Sequence, residues 1–277
     1  MDAFFRQFPQ AAEFLTLLRR CSVSAFAAQA VYFLFLSLFP FALFFLTLLQ
    51  YLPITQTQLL QGVLRLFPAA SESAVVEIWR EAERQAAGAA LSVSALVALW
   101  SSSKGMLGLM RGLNAVCGIA ETRGYFRQRL IATFYTLGFA LLTAGTLGFL
   151  VYGGRWLGPL WERLSPAGPG RWVFGSLRTL LGFVVFVLFF VCLYRVLPDR
   201  RSTLRAQLPG AMLAAWGWLV FSALFAVYAH HSPGLSVYGS LTSLVVFMLW
   251  LYFCMYILLA GAGVNRILEQ ADKNSGK

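Results

Sequence analysis

Long apolar blocks dominate the hydrophobic pattern, at 25–51, 89–110, 131–153, 177–197, 210–229 and 241–264. The first, AFAAQAVYFLFLSLFPFALFFLTLLQY, carries no charge over 27 residues. At 1.5 Å of rise per residue it reaches about 40 Å, enough to cross a hydrocarbon core of about 30 Å with some tilt. A soluble core helix does not need that length. The pattern predicts an all-α, polytopic membrane protein: one domain, 1–277, with six transmembrane helices. Before the first block, Phe4, Phe8, Ala11, Leu15 and Leu18 recur at spacings of four and three, which predicts a short amphipathic helix on the inner surface. Between the first two blocks, 56–86 is polar, holds Glu72, Glu77, Glu81 and Glu83, and breaks at Pro68. It reads as an extracytoplasmic helical segment.

The second block is the weakest. Its clean apolar part, Ala89 to Trp100, runs into Ser101, Ser102, Ser103 and Lys104. It crosses only if Lys104 snorkels and the helix continues through Met106, Leu109 and Met110. The third block repeats small residues at Ala140, Ala144 and Gly148, a ladder that lets a neighbouring helix approach closely.

Composition removes the soluble alternatives. The chain is 59% hydrophobic and 12% charged, with a mean hydropathy of +0.70, where soluble domains carry about a quarter charged residues. The net charge of +11 therefore points to membrane orientation rather than to nucleic acid, which is not an expected partner. With the N-terminus inside, 15 of the 22 Lys and Arg fall in inner segments and 7 in outer ones, which places both termini in the cytoplasm. The third loop, with Arg155, Arg163, Arg171 and Arg178, dissents. No cleavable signal is evident, so the first block reads as a retained anchor. Cys21, Cys117, Cys192 and Cys254 show no CxxC or paired His/Cys spacing; neither a disulfide, a metal site nor a cofactor is expected.

Candidate chemistry is sparse. Pro40 offers no N–H to the carbonyl of Leu36, leaving an acceptor that Ser37 could serve. A packed kink and a hinge lining a polar cavity are both compatible with this. A cavity reaching Ser37 and Pro40 and bordered by Ser101, Lys104 or Arg129 would favour transport; a solid bundle would favour a scaffold. The candidate substrate path comprises Gln29, Tyr32, Ser37, Pro40, Trp100, Ser101, Ser103, Lys104, Asn114, Arg129, Tyr238, Gly239, Trp250 and Asn265. No catalytic residue is assigned. Adjacent side chains on a helix point about 100° apart, so His230 and His231 cannot grip one metal from one face.

Several pieces in order carry a family resemblance: AVYFLFLSLFP (30–40), LWSSSKGM with Asn114 (99–114), LYRVLP (193–198), PGAMLAAWGW (209–218) and YGSLTSLVVFMLWLYFCMYILLAGAGVN (238–265). The chain resembles the YihY/BrkB family of bacterial inner-membrane proteins, once described as ribonuclease BN. The resemblance implies six membrane helices and a cell-envelope role, with no agreed activity. One position departs: where the family reads Gly-Ala-Glu-x-Asn, this chain has Gly261, Ala262, Gly263, Val264 and Asn265. RNA hydrolysis is disfavoured, because the only two histidines, His230 and His231, fall at the outer end of the fifth block and most acids on that side, Glu72 to Glu83, sit on a different loop. The reading is an inner-membrane transporter of a lipid or other amphipathic envelope molecule, with membrane lipids as partners. The alternatives are an ion or solute transporter, or a scaffold that binds an envelope partner or dimerises through Ala140, Ala144 and Gly148.

Overall fold

The computed structural model describes residues 9–49, 57, 60–61, 64, 76–77, 79–80, 93–164, 170–200, 202–230 and 240–275. Among the described residues every regular element is helical: α1 Pro9–Arg20, α2 Val23–Leu49, α3 Val93–Ser102, α4 Lys104–Cys117, α5 Tyr125–Leu164, α6 Gly170–Val196, α7 Leu204–His230 and α8 Ser240–Ser275. Two of these are long and apolar enough to cross a membrane, over Leu204–Tyr228 and Leu244–Lys273; α1 and α2 together would add a third, bent by 52°. The bend is made at Ser22, whose φ of 49° is left-handed. The segment 56–86 falls largely outside the described residues, as do Tyr238 and Gly239.

The core is built where α2, α4, α6, α7 and α8 meet. Val23, Ala27, Ala30 and Val31 form one buried face of α2, at the three-and-four spacing of a helix. Glycines on α4 fit that face in antiparallel register: a Cβ on Gly112 would touch Phe26, on Gly108 the Ala30 backbone, and on Gly105 Leu34 and Ser37. Small residues at these three positions bring the two backbones together.

A tighter crossing joins α7 to α8. A Cβ on Gly210 would collide with the Gly261 carbonyl, and one on Gly261 would lie 2.6 Å from the Tyr194 hydroxyl and 2.7 Å from the Gly210 carbonyl. Gly261 is thus a packing residue and not a helix end. Helix α8 continues through Asn265 to Ser275, beyond the expected stop at 264, because nothing there breaks it. Likewise α7 begins six residues before Gly210, with Pro209 inside its second turn. Rings of Phe186 and Phe190 on α6, Trp218 on α7 and Trp250 on α8 form a continuous edge-to-face and tilted chain with centroids 4.5–6.0 Å apart.

Helix α1 docks into the bundle rather than lying only on a surface. Leu18 is buried, and Phe14, Leu17 and Leu18 approach to 3.5–3.6 Å of where a Gly263 Cβ would stand. Gly263 thus faces the apolar side of α1.

Candidate functional site

Chain ends of many helices gather at one end of the bundle, where a polar lock holds them. Asn114, in the last turn of α4, donates from Nδ2 to Glu121 Oε2 (2.6 Å) and accepts the Asp199 backbone N–H at Oδ1 (3.0 Å). Arg123 grips Glu121 with two side-chain nitrogens, at 2.6 and 2.8 Å, and donates to the Leu197 carbonyl at 2.7 Å. Asp199 in turn accepts the backbone N–H and hydroxyl of Thr122 (2.9 and 2.5 Å). Arg123 holds the Glu121 carboxyl below its ordinary range. The Thr122 hydrogen bonds do the same for Asp199.

A second strand of the lock joins α7 to α8. Asn265 is wholly buried; its Oδ1 accepts the Gly210 N–H at 2.7 Å, and its Nδ2 donates to the carbonyl and side-chain oxygens of Gln207. Gln207 donates to Glu269 (2.8 Å), which also accepts Arg200 (2.6 Å). Arg266 then donates to the Val116 carbonyl at the end of α4 (2.6 Å), where a cation offsets the negative helix terminus. Gly118 follows with φ of 67°, and any Cβ there would meet the Arg266 guanidinium at 2.9–3.1 Å. Both the left-handed backbone and the close cation require glycine.

The serines singled out for a polar path are used by the backbone. Ser37, buried against Gly105, donates to the Leu34 carbonyl (2.9 Å) and not to that of Leu36, because a side chain reaches the carbonyl one turn back. Ser102 and Ser103 donate to Leu99 and Trp100 (2.9 and 2.8 Å) at the break between α3 and α4; Ser101 is half-buried beside them. Pro40 and Gln29 are half-buried, while Tyr32 and Lys104 face outward. Trp250 belongs to the aromatic core and donates to Ser222 (3.2 Å). Ala140 and Ala144 are buried within the chain; the surroundings of Gly148 lie outside the described residues.

Arg129, near the start of α5, is different. It is 2% exposed, donates from Nη2 to the Trp100 carbonyl, and sets its guanidinium 5.1 Å from the centroid of the Trp100 ring. Its Nε is buried without a hydrogen-bond partner. On another face of α5, Phe134, Tyr135, Gly138 and Leu142 line a groove of about 470 Å³ with Val185, Leu188, Phe189 and Cys192 of α6. Tyr135 closes the polar account there by donating to the Cys192 carbonyl (2.9 Å).

Sequence reasoning selected Asn114, Asn265 and Arg129 but not Glu121, Arg123, Asp199, Gln207 or Glu269, which complete the lock. The opposite charges of Glu121 and Arg123 two residues apart were the available signal.

Comparison with known proteins agrees with a membrane assignment. Residues 15–277 match the family model described as Virulence factor BrkB. Ribonuclease-like protein YfkH of Bacillus subtilis (strain 168) is 32% identical over 249 residues, covering 89% of this chain and 90% of its own. A UPF0761 membrane protein of Aliivibrio salmonicida (strain LFI1238) is 34% identical over 35% of this chain and 32% of its own, and one of Halorhodospira halophila is 28% identical over 74% and 44%. No solved structure matches. With nearly its whole length matched, the chain is a membrane protein of the BrkB family.

Proposed function

We propose that this protein crosses the bacterial inner membrane six times, with both termini in the cytoplasm, and moves a lipid or other amphipathic envelope molecule across it. The α5–α6 groove carries this reading. It is lined by apolar side chains, and Phe134 and Leu188 on its rim face outward. Its volume lies within the roughly 300–1,000 Å³ of small-ligand sites, and an acyl chain is the occupant its chemistry suits. Support for the topology comes from the lock: the turn between α1 and α2, the end of α4, the turn after α6, the start of α7 and the C-terminal part of α8 share hydrogen bonds. Arg123, Arg200 and Arg266 take part in the lock, and Arg111, Arg127, Arg195 and Arg205 lie within four residues of lock residues in sequence, a clustering of cations that the positive-inside rule associates with a cytoplasmic face.

A scaffold is the second reading, favoured by the close contact of Gly105 with Ser37, which fills the space beside the proline turn. Hydrolysis has no part in either. Purified protein in liposomes distinguishes the two. Movement of a labelled phospholipid between leaflets, above that of protein-free vesicles, is expected for a transporter; identical rates in both would leave the scaffold.

A further inference from the structure

We propose that Arg129, covered by the Trp100 ring, is a binding site for a phosphate-type oxyanion, the headgroup phosphate of an inner-leaflet phospholipid. The inference deepens the transport reading by giving its substrate a charge.

Four observations converge on it. Arg129 is 2% exposed, yet among the described residues no carboxylate pairs with it. Burying a charge is unfavourable unless it is matched. Among the described residues its hydrogen-bond partner is the Trp100 carbonyl, which Ser103 already serves at 2.8 Å, so the guanidinium is held in place but not neutralised. Nε is left over as a buried donor, and guanidinium donors suit the oxygens of phosphate.

Position supplies the remaining arguments. Arg129 stands two residues before the apolar run that opens at Ile131, the level where headgroups meet helix ends. Around it the surface is apolar and outward-facing: Phe126 is 77% exposed, and Leu130, Leu96 and Val97 all exceed half. The Trp100 ring is itself 39% exposed. A turn of that one side chain uncovers the cation toward lipid, without disturbing the lock. A purely structural staple between α3 and α5 would need only the bond to the Trp100 carbonyl, which a lysine could make.

The test measures phosphatidylglycerol bound to the purified full-length protein by native mass spectrometry, with a parallel arm in inorganic phosphate. The variants are Arg129→Gln, Arg129→Lys and, as a control at an exposed neighbour, Arg127→Gln; thermal unfolding in detergent confirms that each is folded. Wild type and Arg127→Gln are expected to retain the lipid, with Arg129→Gln weaker by roughly tenfold or more, the worth of a charge-assisted contact. Arg129→Lys should fall between them. Phosphate binding alone, lost in Arg129→Gln, upholds the anion site and makes its source soluble. Equal lipid retention by wild type and a folded Arg129→Gln overturns the inference. Retention by Arg129 in a protein that moves no lipid would instead remove the transport reading and leave the site.

Discussion

Arg123 and Arg129 lie six residues apart and are both buried, but the molecule treats them in opposite ways. Arg123 meets a carboxylate bidentately, a second carboxylate at 3.5 Å and a backbone carbonyl. Arg129 meets one carbonyl and one aromatic face. Full partnership explains Arg123 as construction: it ties the 118–124 loop to the end of α6, and nothing about it asks for a ligand. Arg129 has no such explanation, and an intramembrane or interfacial charge without a mate is by default a functional group.

If the lock is construction, breaking it should cost stability and leave the Arg129 site intact. The largest effect is expected where backbone meets backbone. Gly261→Leu would drive a side chain into Tyr194 and Gly210; a loss of about 3 kcal/mol follows for overpacking, seen as a large fall in unfolding temperature in detergent. An unchanged unfolding temperature would mean that α7 and α8 do not cross there. Next comes Asn265→Ala, which strands the Gln207 side chain and the Gly210 N–H. The two buried polar groups left unmade cost about 1–3 kcal/mol each, so a fall comparable to that of Gly261→Leu is expected by the same measurement.

Helix α2 was expected at 25–51 and runs Val23–Leu49, because a long uncharged run has one structural solution in a bilayer. Helices α7 and α8 extend beyond the apolar blocks 210–229 and 241–264, α7 starting before Pro209 and α8 running past Asn265. In three dimensions Gly261 is the thinnest point of a crossing, and the Gly210 N–H beside Pro209 is met by Asn265. Asn114 stood out, whereas its partner Asp199, 85 residues away, could not, because short-range spacing does not encode that pairing. Gly263 shows the reverse: it stands out in the sequence, and the structure places Phe14, Leu17 and Leu18 of α1 at ordinary contact distance, 3.5–3.6 Å, from where its Cβ would stand.

The smallest expected effect is electrostatic. Glu121→Gln removes the charge opposite Arg123 at a partly exposed site, and about 1 kcal/mol or less is expected at neutral pH. Its sign with pH is fixed by the lowered carboxyl pKa. The folded state favours the carboxylate, so the stabilisation is complete above the ordinary glutamate value of about 4.3. It is lost as pH falls through the lower folded value. Unfolding temperature followed from neutral to acid pH should fall less steeply in Glu121→Gln than in wild type; parallel curves would show that Glu121 adds nothing to the lock.

The most direct measurement is the rate at which labelled phosphatidylglycerol changes leaflet in vesicles containing Arg129→Gln, compared with wild type of equal thermal stability. Movement by the wild type and its near-complete loss in the variant are expected. Equal rates for the two proteins, or no movement by either, would contradict the proposal.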